Sequence, residues 1–181
     1  MESQSRRSGR PERNLPVEAA YVCLPVYDGA TLEALRSAAA ALPAKDESRY
    51  HVTLRYLADA SVPGLEKLAE AVGEICAAAP AFKLSLDRPG VFPNSPRVIY
   101  YAVAPAAALL ELQAAVDEAV RSLGCKPADY AYNPHITLAR GEGEAATVGP
   151  VSWPAETVEI RRSARGGRAG EILFSFKLGG T

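Results

Sequence analysis

One plan occurs twice along this chain, and it narrows the available folds more than any residue count. A short apolar run closes on proline, an amphipathic helical pattern follows, and then comes a four-residue frame, His-x-Thr-Leu. The first pass runs from Ala20-Tyr21-Val22-Cys23-Leu24 and Pro25 to His51-Val52-Thr53-Leu54. The second runs from Val98-Ile99-Tyr100-Tyr101-Ala102-Val103 and Pro105 to His135-Ile136-Thr137-Leu138. The chain holds two histidines, both open that frame, and they stand close to half the chain apart. Such a repeated order marks a degenerate internal duplication.

In a strand, residues i and i+2 share a face. Each frame therefore presents an imidazole and a hydroxyl to one surface and sends its apolar residues to the other. Two related halves then predict an α+β fold of two pseudo-symmetric lobes. Each lobe is a mostly antiparallel sheet with helices on its outer face, and the active-site cleft lies between the sheets.

The remaining pattern fills in this plan. Asp28 caps a helix with Leu32, Leu35, Ala39 and Leu42 on one stripe, and Pro43 stops it. Ser61 and Pro63 open a second helix carrying Leu65, Leu68, Val72 and Ile75. Phe82, Leu84 and Leu86 alternate with polar residues as a strand, and Arg88-Pro89-Gly90 reads as a turn. Pro105 suits the first turn of a third helix, with Leu109, Leu112, Val116, Val120 and Leu123 on one face and Gly124 as its stop. Residues 141 to 154 read as a loop. Two antiparallel strands follow, Val158 and Ile160 in the first, Ile172, Phe174 and Phe176 in the second. Thr157, Glu159 and Arg161 alternate with the apolar residues of the first. Residues 1–16 are polar and Arg-rich and read as a disordered basic tail. Residues 17–181 read as a single bilobal domain.

A lone strand histidine is often structural. Two in the same frame, at matching points of a repeated plan, point to function. A metal centre fits poorly, because two His without an organised Cys, Asp or Glu set fall short of three or four ligands. No nucleophile is marked either. Two imidazoles flanking a phosphorus suit acid–base catalysis without metal or cofactor: one neutral ring takes a proton from water, and one charged ring gives a proton to the leaving oxygen. Thr53 and Thr137 can donate to the non-bridging oxygens. Arg140 reads as a phosphate clamp or as a solvated strand-end arginine.

The net charge of −1 gives no global pull toward nucleic acid, so an anion site must be local. Cys23, Cys76 and Cys125 are odd in number and outside metal spacing, and read as buried thiols of a reducing compartment. With no membrane-length apolar run and no signal-peptide core, the expected place is the cytoplasm, as a monomer.

The chain resembles the two-histidine (2H) phosphoesterase superfamily, and within it the RNA 2′,3′-cyclic phosphodiesterases, also called 2′-5′ RNA ligases. The resemblance covers about residues 19 to 178. Its most specific stretch is Asn133-Pro134-His135-Ile136-Thr137-Leu138-Ala139-Arg140, supported by His51 to Leu57, Gly90-Val91-Phe92 and Pro96-Arg97-Val98-Ile99-Tyr100. It implies His51 as proton donor and His135 as proton acceptor, with Thr53 and Thr137 on the phosphate. It implies opening of a 2′,3′-cyclic phosphate on RNA or a nucleotide to a 2′-phosphate, without metal. The reverse reaction, 2′-5′ joining, uses the same groups, and an RNA-binding module without turnover is a further alternative. Family members often carry Phe and Gly after the first motif and Trp in the strand after Pro-Arg, where this chain has Tyr56, Ala58 and Tyr100. Phe92, Tyr130 and Tyr132 are candidates to stack a base. The hairpin from Arg161 to Arg168 is either an RNA-backbone contact or a solvated edge.

Overall fold

The computed structural model describes residues 18–43, 50–94, 96–163 and 170–179. The basic tail and most of the Arg-rich hairpin lie outside the described residues.

Among the described residues, alternating and continuous apolar runs produce eight strands, and three helical stripes produce three helices. In chain order they are β1 (Glu18–Pro25), α1 (Gly29–Ala38), β2 (His51–Ala60), α2 (Val62–Ala78), β3 (Phe82–Phe92), β4 (Val98–Val103), α3 (Ala107–Ser122), β5 (His135–Arg140), β6 (Ser152–Ala155), β7 (Thr157–Arg162) and β8 (Ile172–Lys177). They form two four-stranded antiparallel sheets, β2-β1-β7-β8 and β5-β4-β3-β6. The orders correspond under the duplication: each histidine frame opens an edge strand whose neighbour is the apolar run that precedes it.

The helices begin where their caps are written. Asp28 accepts from the Thr31 amide and hydroxyl, and those bonds hold its carboxyl below the usual aspartate range. Ser61 accepts from the Gly64 amide. Leu35, Leu65, Leu68, Val72, Leu109, Leu112, Val116 and Val120 are buried and join both sheets in one apolar cluster. Gly124, at φ +88°, supplies the left-handed residue that ends the third helical segment.

Four local expectations need correction. Helix α1 ends at Ala38, capped by Ala39, before Pro43 is reached. Helix α3 starts at Ala107 behind Ala106, so Pro105 precedes its cap. Arg88-Pro89-Gly90 is no turn: β3 runs through it, with a register shift between Leu86 and Pro89. β6 covers β3 only from Phe82 to Ser85, so Pro89 lies where that flank has no ladder needing its missing N–H. The 141–154 loop ends in a strand, β6, whose Trp153 and Ala155 are buried. Glu159 and Arg161 are also buried, at 2% and 0% exposure, because β7 is interior to its sheet and Tyr27 lies over their face.

Candidate active site

His51 and His135 are the first residues of β2 and β5. Along each frame the exposure alternates. His51, Thr53, His135 and Thr137 are half-buried, while Val52, Leu54, Ile136 and Leu138 are buried. The period-2 reading therefore holds for both motifs. β2 and β5 are also spatial neighbours, so the two edges that carry the frames adjoin where the sheets meet.

Both strands then depart from regularity at the same point. On β2, Thr53 pairs with Cys23 and Arg55 with Val22, leaving Leu54 as an extra residue. On β5, Thr137 pairs with Tyr100 and Ala139 with Ile99, leaving Leu138 extra. Each bulge directly follows the motif threonine. It shifts the alternation by one, so the third residue past threonine returns to the histidine face. On β2 that residue is Tyr56, opposite Tyr21; on β5 it is Arg140, opposite Val98. A regular strand would have turned Arg140 to the face of Leu138. The bulge brings it to the side of Thr137, and its side chain is exposed.

The two imidazoles have different surroundings. The Nδ1 of His135 lies 2.7 Å from the Asn133 carbonyl oxygen. A carbonyl only accepts, so Nδ1 carries the hydrogen and Nε2 holds the lone pair of the neutral ring. Phe92 and Tyr100, stacked on each other at 4.2 Å, meet this ring in T-shaped contacts at 4.9 and 5.3 Å. Burial pushes the His135 pKa below its ordinary 6.5, against the opposing pull of the Asn133 bond. Burial of His135 thus favours its neutral ring over the charged one. His51 instead lies face to face with Tyr21, with centroids 4.8 Å apart and planes 23° from parallel.

The seam between the edges is braced by side chains. Tyr132, in the loop before β5, donates to the Thr53 carbonyl at 3.0 Å. Gln113 of α3 donates to the carbonyl of the bulged Leu54 at 3.3 Å. Arg55, turned to the helical side by that bulge, bonds Asp117 at 2.7 Å and also donates to the Tyr56 and Lys126 carbonyls. Tyr132 is therefore a brace, while Tyr130 is 72% exposed. Phe92 belongs to β3 and to the His135 cluster. Among the described residues, no three His, Cys, Asp or Glu side chains gather as a metal's ligands would.

The motifs point to both histidines, both threonines and Arg140. They give no warning of Tyr21, the Asn133 carbonyl or Gln113, whereas Tyr56 stands out as a departure just after the first motif. Tyr21 has one available signal: it is the aromatic in an otherwise aliphatic and thiol run, two residues from Cys23 on the same face.

The fold and site together define a two-lobed α+β protein whose two His-x-Thr edge strands adjoin. The chain belongs to the 2′-5′ RNA ligase superfamily, which matches residues 25–162. It is similar to the RNA 2′,3′-cyclic phosphodiesterase of Geobacillus stearothermophilus, at 38% identity over 102 residues, 55% of this chain and 32% of that protein. It is 32% identical over 113 residues to the RNA 2′,3′-cyclic phosphodiesterase of Escherichia coli K12, 61% of this chain and 62% of that one. The matched stretches thus span less than two thirds of either relative's own length. Among solved structures, E. coli LigT complexed with 3′-AMP superposes with a TM-score of 0.74 at 23% identity, covering 90% of this chain and 99% of that one. TT0787 of Thermus thermophilus gives 0.75 at 23% identity, covering 90% and 98%. At these identities the structural likeness establishes the two-lobed α+β fold. No described helix is long and apolar enough to cross a membrane.

Proposed function

We propose that this protein hydrolyses 2′,3′-cyclic phosphates at the ends of RNA or on nucleotides, giving 2′-phosphates without a metal ion. The observation that carries the reading is the pair of His-x-Thr frames on adjoining edge strands, each with His and Thr on one face. The activity named for the relatives and the 3′-AMP bound by LigT support the substrate class.

In this reading His135 is the general base. Its Nε2 takes a proton from water as the water oxygen bonds to phosphorus. The bond from phosphorus to the 3′ oxygen breaks, and His51, the general acid, delivers its proton to that oxygen. The 2′ ester bond stays intact. Thr53 and Thr137 donate to the non-bridging oxygens, and Arg140 clamps the phosphate from the β5 side. Residues 17–181 act as one bilobal unit, as a monomer, in the cytoplasm. The family's description favours a second reading on the same groups, in which a 5′ hydroxyl replaces water and a 2′-5′ linkage forms.

The test is turnover of 2′,3′-cyclic AMP in EDTA, with His51→Ala and His135→Ala beside the parent. Loss of about 10²–10⁴-fold in each variant is expected. Tight RNA binding without turnover in the parent would replace the enzyme with a binding module. Added 5′-hydroxyl RNA halves read out joining.

A further inference from the structure

We propose that Tyr21 is a positioning residue for His51, its ring holding the imidazole by the face and favouring the charged, proton-bearing form. The inference rests on the acid role given to His51 above and names a residue for which neither motif provides. The contact is face to face, at 4.8 Å and 23°. A cation over an aromatic face is attracted by the ring's negative face, whereas a neutral ring gains no such term. The partner histidine has different surroundings: Phe92 and Tyr100 meet it in T-shaped contacts. The two lobes repeat the strands and the motifs but not the aromatic geometry.

The backbone explains how Tyr21 comes to be there. β1 is hydrogen-bonded along β2, with Pro25 opposite His51, Cys23 opposite Thr53 and Tyr21 opposite Tyr56. Tyr21, Cys23, Thr53 and His51 therefore share a face, and Tyr21 reaches the imidazole along the strand. Other described titratable and charged groups face the same side. The Cys23 thiol is pushed up to about 12 by burial and stays neutral. On β7, opposite Cys23 and Tyr21, Glu159 and Arg161 neutralise each other at 2.7 Å. Tyr56 is hydrogen-bonded with Ser163, and Tyr27 is bound to Glu159. On β5 the groups are His135 and Arg140, and Tyr132 donates to the Thr53 carbonyl.

With two histidines in the chain, the imidazole Cε1–H region of a proton NMR spectrum holds two signals, and His135→Asn assigns them. In Tyr21→Leu the His51 signal should titrate several tenths of a pH unit lower, a loss of about two- to fivefold in proton affinity, with the His135 signal unmoved. Tyr21→Phe keeps the ring face and should titrate like the parent, and Tyr21→Trp should titrate higher. The alkaline limb of the rate profile should move with the His51 signal. An unchanged His51 midpoint in Tyr21→Leu, or a lowered one in Tyr21→Trp, overturns the inference. Absence of turnover on 2′,3′-cyclic AMP would instead strike the proposed function, while the NMR midpoints still decide the role of Tyr21.

Discussion

The most exposing perturbation lies away from the histidines, at the buried ion pair of β7. Glu159 and Arg161 have side-chain exposures of 3% and 0% and meet at 2.7 Å. Tyr27 donates to the second carboxylate oxygen at 2.5 Å. The Nη1 of Arg161 is buried and has no hydrogen-bond partner among the described residues. Glu159→Gln keeps the shape and removes the charge, leaving a guanidinium in the interior without its counter-ion. Breaking one side of a buried pair costs about 3–5 kcal/mol. For a chain of this size, about 2–4 °C of melting temperature accompanies each kcal/mol, so a drop of roughly 6–20 °C is expected. Replacing both groups, Glu159→Gln with Arg161→Met, removes the stranded charge and should recover most of the loss. Thermal and urea unfolding of the two single variants and the double variant complete the cycle. A Glu159→Gln loss below about 1 kcal/mol, or a double variant less stable than both singles, would refute the claim that opposing charges in a dry site hold each other.

Other expectations can be checked alongside. A Cβ on Gly90 would lie 2.5 Å from the Tyr100 ring, so Gly90→Ala should push that ring against His135 and lower kcat while the melting temperature changes little. The lowered His135 pKa places the acidic limb of kcat/KM below pH 6.5, and a limb above that value would contradict its buried setting. The same shift sets the sign for stability. As pH falls, the unfolded chain takes up this proton first, so the contribution of His135 is complete above about 6.5 and lost as pH drops through the lower folded value. Urea titrations of the parent and His135→Asn across that window should diverge on the acid side. Asp117→Asn removes the carboxylate that Arg55 holds at 2.7 Å and should cost about 1–3 kcal/mol in urea unfolding. Arg140→Ala should raise KM more than it lowers kcat if the guanidinium binds ground-state phosphate.

Much of this architecture can be read from one-dimensional pattern, for specific reasons. Asp28 and Ser61 are local hydrogen-bond devices whose partners lie three residues away, so sequence alone locates them. The His-x-Thr alternation is likewise local and survives folding. Bulges at Leu54 and Leu138 are not local: each depends on how a neighbouring strand registers, which is why the face of Arg140 stays open until its pairing with Val98 is known. Glu159 and Arg161 alternate with Val158 and Ile160 as wet residues would, but their strand is interior and both of its faces are covered. Pro89 and Gly90 carry turn chemistry, yet here proline lies beyond the reach of β6 on that flank and glycine makes room for Tyr100. Ser152-Trp153-Pro154-Ala155 is too short to announce a strand, and β3 recruits it.

The two imidazole-bearing edges meet at a seam without a backbone ladder between them, under the keeping of Gln113, Asp117, Tyr132 and the bulge that turns Arg55 toward α3. The spacing of the two imidazole-bearing strands is therefore a mechanical dimension with its own adjusting screws. Substitutions on one helix and one loop can reset the width of these jaws while leaving both imidazoles in their strands.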